Sequence, residues 1–128
     1  MALHYIIDGY NVINRVNFLN YKKLQDARDA LLSFIDKYRP QGSNKITVVF
    51  DSKVEVFGSK CKFDVEVIFT KNESADEYIK LLVSNAVNPK DIRVVTDDND
   101  IRFFCRSYGA VILSTGEFTK KISAKINL

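Results

Sequence analysis

The 128 residues can build one good hydrophobic core and are too few for two, so a single domain over residues 1–128 is expected. With 46% hydrophobic and 27% charged residues, and 19 basic against 16 acidic side chains for a net charge of +3, the composition excludes disordered, collagenous and membrane-spanning classes. No secretory leader pattern opens the chain, which leads to the expectation of a cytoplasmic protein, and two distant cysteines (Cys61, Cys105) with a single histidine (His4) argue for free thiols rather than zinc.

Taken in order, Tyr5-Ile6-Ile7 is an apolar run that stops at Asp8, and Gly9 follows as a residue able to adopt turn dihedrals closed to others. Residues 14–21 show no clear period and read as a loop or short helical turn. Leu24, Ala27, Leu31, Leu32, Phe34, Ile35 and Tyr38 recur at helical spacing, predicting an amphipathic helix over 21–38 that Pro40, Gly42, Ser43 and Asn44 end. Ile46 to Phe50 is β-branched and apolar, a buried strand that also stops at an acid, Asp51. Residues 52–64, interrupted by Gly58, read as an excursion or short hairpin over the site, and Val65 to Phe69 as another strand.

Ser74 with Glu77 three residues on forms a capping box, opening a helix whose stripe of Tyr78, Ile79, Leu81, Leu82 and Val83 runs toward Asn88-Pro89. Ile92 to Thr96 predicts a fourth strand, and it too meets acids: Asp97, Asp98 and Asp100. A helix over 100–108 turns Ile101, Phe104 and Cys105 inward and stops at Gly109; Ala110 to Leu113 forms a fifth strand, and a short helix begins at Phe118. Strands alternating with helices predict an α/β fold, a three-layer α/β/α sandwich around a mostly parallel sheet of about five strands.

Three predicted strands therefore end in aspartate: Asp8, Asp51 and Asp97. In an open parallel sheet, ligands are met outside the carboxyl ends of the strands. Aspartate and glycine are also ordinary turn residues, so Asp8 alone reads equally as a turn cap; the recurrence favours a site. Carboxylates brought together repel and raise one another's pKa unless they share a cation, and a cluster of Asp without His or Cys suits Mg²⁺ or Mn²⁺. Asp76, in a first helical turn, would add a carboxylate, although the helix dipole favours an acid there anyway. Candidate metal ligands are thus Asp8, Asp76, Asp97 and Asp100, with the choice among Asp97, Asp98 and Asp100 open. Asn11 is spaced to orient a water or touch a phosphate oxygen, or else caps its turn.

A metal held this way supports phosphodiester hydrolysis without a side-chain nucleophile. Neither GxxxxGK[ST] nor GxGxxG is present, so no nucleotide cofactor is expected, and Tyr10 stands where an aspartyl-phosphate phosphatase needs its second aspartate. Basic residues come in groups, among them Lys22 and Lys23, Lys60 and Lys62, Arg102 and Arg106, and Lys120, Lys121 and Lys125. A polyanion held over an acidic focus explains them together, with Asn11, Lys22, Lys23, Arg102, Lys120 and Lys121 as RNA-binding candidates; each group alone reads as a solvated helix face. Tyr10, Phe18, Tyr21 and Phe57 are candidates for stacking on bases, the plainer reading being core.

Together these stretches resemble the NYN domains of the PIN-like nuclease superfamily, and within it the YacP-like branch. The segments that carry the resemblance are Ile7-Asp8-Gly9-Tyr10-Asn11-Val12-Ile13, Ala27-Arg28-Asp29-Ala30-Leu31-Leu32, Val48-Val49-Phe50-Asp51, Val65 to Lys71 leading into Ser74-Ala75-Asp76-Glu77-Tyr78-Ile79, and Val94-Val95-Thr96-Asp97-Asp98. The likeness covers nearly the whole chain and implies a PIN-like fold and a metal-dependent endoribonuclease. The acidic pocket of that family corresponds here to Asp8, Asp51, Asp76 and Asp97, with Asn11 alongside. Some members act on messenger RNA at the ribosome, which becomes an expectation for this chain. Rival expectations are an RNA- or ribosome-binding module that cleaves nothing, and a phosphatase-like hydrolase of small esters.

Overall fold

A computed structural model describes residues 2–15, 23–51, 65–71 and 73–126, the last six of these for their backbone. The expected excursion over 52–64, with Phe57, Lys60, Cys61 and Lys62, lies outside the described residues, as do Phe18, Tyr21 and Lys22. The elements run β1 (His4–Asp8), α1 (Gly9–Arg15), α2 (Leu24–Tyr38), β2 (Lys45–Asp51), β3 (Glu66–Thr70), α3 (Ala75–Ser84), β4 (Ile92–Val95), α4 (Asn99–Ser107), β5 (Val111–Leu113) and α5 (Thr115–Ile126), with a 3₁₀ turn over Pro89–Asp91.

All four strand pairings are parallel, in the order β3-β2-β1-β4-β5. Alternation along each strand sends successive side chains to opposite faces. From β1 and β2, Tyr5, Ile7, Ile46, Val48 and Phe50 join a core with Val12, Ile13, Ala27, Leu31, Ile35 and Phe118 of α1, α2 and α5. On the other face Ile6, Val49, Ile92 and Val94 pack with Ala75, Ile79 and Val83 of α3 and Ile101 and Cys105 of α4. Helices thus cover both faces, which is why β1, β2 and β4 read as nearly continuous apolar runs. The five-stranded α/β sandwich is the one expected, and its sheet is wholly parallel.

Several local expectations needed correction. The chain enters α1 directly at Gly9, where a turn was expected, and Gly9 does not take a positive φ. Its glycine has another cause: a Cβ there would collide with the ring of Phe50. The helix α2 ends through Arg39, which adopts a left-handed φ of 45° and donates its N–H to the Ile35 carbonyl, so the stop precedes Pro40. α3 closes at Ser84, well short of Asn88, once Asn85 caps it. The last helix starts at Thr115 rather than Phe118. Ser114 and Glu117 form a reciprocal capping box, Ser114 N donating to Glu117 Oε1 at 3.1 Å and Glu117 N to Ser114 Oγ at 3.0 Å. That signal was in the sequence, in the same form as the Ser74–Glu77 box, where Glu77 N donates to Ser74 Oγ at 3.1 Å.

Candidate functional site

Strand order locates the site. Chain order runs outward from β1 in opposite directions, to β2 on one side and to β4 on the other, so the carboxyl ends of β1 and β4 flank the crevice where such sheets bind ligands. Asp8 is the last residue of β1, and Thr96, Asp97 and Asp98 follow β4 immediately. Thr96 ties the two strand ends together: its Oγ1 donates to Asp8 Oδ2 at 3.0 Å and accepts from Asp98 N at 3.1 Å. Asn11, in the first turns of α1, supports the same loop, its Oδ1 accepting from Asp97 N at 2.8 Å.

Asp8 sits in a setting hostile to its charge. Burial first, then the negative charges of Asp98 and Asp76, push its carboxyl up to about 6 from 3.8, against the Thr96 hydroxyl and the Asn11 backbone, which favour the ionised form. Asp76 comes from the first turn of α3 and Asp98 is the N-cap of α4, where its Oδ1 accepts from Asp100 N at 2.9 Å and Ile101 N at 3.1 Å. Helix α4 therefore uses one oxygen of Asp98 and leaves Oδ2. Asp76 Oδ1 is buried with no hydrogen bond; Lys80 Nζ stands 3.1 Å away as an ion pair outside hydrogen-bonding geometry. Lys80 also pairs with Asp100, and these two acids hold its ammonium pKa above the ordinary value.

The acids after β4 divide their tasks. Asp97 turns toward α5, its Oδ1 accepting from Thr115 N at 2.9 Å and its Oδ2 from the Thr115 hydroxyl. Although burial acts to raise it, those donors, with Arg15 and Arg102 nearby, hold the Asp97 carboxyl below its usual value. Asp100 points outward to Lys80, its side chain 73% exposed. Asp51 ends β2 one strand over; Val49, two residues before it, pairs with Asp8, so Asp51 stands higher on the same face. Among the expected residues, the structure gathers Asp8, Asp76 and Asn11, and of the three acids after β4 between which spacing left the choice open, it is Asp98 whose charge acts on Asp8.

The oxygen-only set of Asp8, Asp76 and Asp98, with Asp8 buried beside two like charges and the Asp76 oxygen balanced, among the described residues, by Lys80 alone, fits a hard divalent cation. Among the described residues no three His, Cys, Asp or Glu side chains form a ready metal cage, so these acids are an electrostatic focus and not a preformed coordination shell. Around the mouth stand cations. Arg15 ends α1, Arg102 lies on α4, and the exposed Lys120 lies on α5 near Glu117, whose pKa is lowered first by its hydrogen bonds with Ser114 and then by Arg102 and Lys120. Lys23 precedes α2, whose start lies at this same edge because a crossover helix runs back from the carboxyl ends of the strands. The Lys121 side chain lies outside the described residues. Tyr10 is no free stacking platform: it packs on Phe50 at 5.1 Å between centroids, and its hydroxyl accepts from Arg28 at 2.9 Å.

Arg15 and Lys80 were not among the sequence candidates. Lys80 had left one signal, its position four residues after Asp76 on a helix. Arg15 had left none, because residues 14–21 carry no period.

Comparison with known proteins agrees with this fold. The family model described as YacP-like NYN domain matches residues 5–127. The chain is 34% identical over 125 residues to the uncharacterized protein YacP of Bacillus subtilis (strain 168), covering 91% of this chain and 73% of that protein. It superposes on the crystal structure of Rae1 (YacP) from Bacillus subtilis with a TM-score of 0.81 at 32% identity, covering 99% of this chain and 76% of that one. A point-mutant crystal structure of the same protein gives a TM-score of 0.79 at 29% identity, covering 98% and 77%. With its acids gathered at the β1–β4 crevice and a family match over almost its full length, this chain belongs to the YacP-like NYN domain family, a nuclease-type family.

Proposed function

We propose that this chain is a Mg²⁺- or Mn²⁺-dependent endoribonuclease that hydrolyses RNA phosphodiester bonds at the crevice between β1 and β4, acting in the cytoplasm. The observation that carries this reading is the Asp8 carboxyl, lifted to about 6 first by burial and then by the charges of Asp98 and Asp76, which come from two other segments. Such crowding is costly alone and is relieved by a divalent cation. When bound, that cation supplies a water of lowered pKa and a positive charge facing the phosphate.

The protein's own groups do the rest. Asp8, Asp76 and Asp98 would hold the cation, with Asp51 at the rim as a further acid. Thr96 fixes the rotamer of Asp8 through its 3.0 Å hydrogen bond. Asn11 offers Nδ2 to a phosphate oxygen or to the attacking water. Asp97, a candidate metal ligand from its place after a strand, acts in this reading as a positioning residue that joins the β4 tip to α5, and Asp100 does the same toward α3 through Lys80. Arg15, Arg102 and Lys120 balance the charge of an RNA backbone crossing the mouth. Ribosome-associated messenger RNA is the substrate that the resemblance to YacP-like proteins suggests.

A second reading, an RNA-binding module that does not cleave, draws on the lack of a three-ligand cage among the described residues. The two separate in one experiment: labelled RNA incubated with the protein and Mn²⁺, with chelator, and with Asp8→Asn. A nuclease cleaves only in the first, while Asp8→Asn retains RNA affinity. RNA binding that ignores chelator, with no cleavage under any condition, establishes the binding module instead.

A further inference from the structure

Helix α4 buries Ile101 and Cys105 and sends Phe103 the opposite way. At 3.6 residues per turn, Phe103 falls roughly 180° from the mean direction of the two buried residues, and it is 77% exposed. Turning from Phe103 toward α5, one meets Arg106 at roughly 60° and Arg102 at roughly 100°. The charge of Arg102 acts on both Asp97 and Glu117, so this strip runs into the mouth of the acidic pocket. Asp98, which caps the same helix, lies five residues before Phe103, about 7.5 Å along the axis.

A solitary exposed apolar ring is ordinary on a protein surface. What distinguishes Phe103 is its company: Arg106 one turn on and Arg102 beside it toward α5, Asp100 on the other side with its charge met by Lys80, and a carboxylate focus at the end of the same helix. We propose that the outer face of α4 is a docking strip for single-stranded RNA, with Phe103 stacking on an unpaired base and Arg102 and Arg106 holding the flanking phosphates. Bases in a duplex are already stacked and present no free face to such a ring, whereas splayed single strands do. Charge selects RNA over a second copy of the chain, since a symmetric contact through this strip would set Arg102 and Arg106 against their own counterparts. The inference rests on the endoribonuclease reading and specifies how its substrate would approach.

The sequence contains no tryptophan, so Phe103→Trp introduces a sole indole at the proposed stacking position. In EDTA, its emission should be quenched saturably by a single-stranded 12-nucleotide RNA, and little by the matching duplex or by heparin. In fluorescence anisotropy, Phe103→Ala should weaken single-strand binding about tenfold or more, with Phe103→Tyr close to the parent. Urea midpoints of all three variants should match the parent, because the ring is not part of the core. Equal RNA affinity for Phe103→Ala and parent, or an indole unmoved by RNA that anisotropy shows to be bound, overturns the docking strip and leaves the nuclease reading standing. Emission that shifts with protein concentration before RNA is added identifies a self-association face and also overturns it. A parent protein that neither binds nor cleaves RNA sinks both.

Discussion

The two ends of β1 place polar side chains on the same face of the sheet and treat them in opposite ways. At the amino end, His4 Nε2 meets Thr47 Oγ1 at 2.7 Å, Thr47 donates to Glu66 at 2.8 Å, and Lys45 pairs with Glu66 at 3.8 Å. Each group there has a complementary neighbour, and burial with the nearby Lys45 keeps His4 below its ordinary pKa, as a neutral ring. At the carboxyl end, burial first and then Asp98 and Asp76 weigh against the charge of Asp8, with the Thr96 hydroxyl and the Asn11 backbone in its favour. The first end is structure that has settled its charges. The second retains a conflict that only a further partner removes, which is the mark of a site.

Exchanging the conflicted group should have the largest effect. Asp8→Asn should lower Mn²⁺-dependent RNA cleavage by on the order of a hundredfold or more, given that even outer-sphere groups at metal sites are worth 10–100-fold. The same change should stabilise the metal-free protein. A carboxyl raised from 3.8 to about 6 means that the folded state binds more protons, so stability falls as pH rises through that interval, by at most about 3 kcal/mol. Thermal melts in EDTA should show Asp8→Asn above the parent at pH 7, with the two converging near pH 4. A variant no more stable than the parent at pH 7 would remove the conflict from the comparison.

Gly9→Ala comes next. Its methyl would enter the ring of Phe50 beneath the site, costing about 1–3 kcal/mol in urea unfolding; an unchanged midpoint would mean that α1 shifts freely. Thr115→Val takes one of two donors from Asp97 and should cost about 1 kcal/mol. Because the Asp97 pKa is lowered in the fold, its contribution is present above the unfolded value and lost as pH falls through the folded one. The variant should therefore lie closer to the parent in acid than at neutral pH.

The smallest effect belongs to the settled end. His4 has a lowered pKa, so its contribution is complete above 6.5 and lost as pH falls below that value. His4→Gln should flatten a shallow upward slope of stability with pH, opposite in sign to the slope removed by Asp8→Asn. Two slopes of the same sign would refute the contrast between the ends.

Most of the acids were legible because they close apolar runs, Ile7 into Asp8, Phe50 into Asp51 and the β4 strand into its cluster, while Asp76 stood in the capping-box turn of α3. The alternation of strands and helices likewise announced an α/β sheet. Adjacency was not written there, since nothing in the residues orders the strands 3-2-1-4-5. Nor could spacing assign tasks among Asp97, Asp98 and Asp100. The backbone passes from extended to helical at that point, the period changes within three residues, and side-chain direction depends on which acid becomes the cap. The structure makes Asp98 that cap, sends Asp97 to Thr115 and Asp100 to Lys80. Gly9 shows the same limit: its type was informative, while the cause proved to be the ring of Phe50.

The Thr96–Asp8 hydrogen bond joins residues 88 positions apart in the chain. A polypeptide still being synthesised, or clipped before β4, has made its first acid but cannot yet hold it in place. The pocket is therefore complete only after the chain has been laid down through β4, so Asp8 waits on most of the domain before its side chain is held.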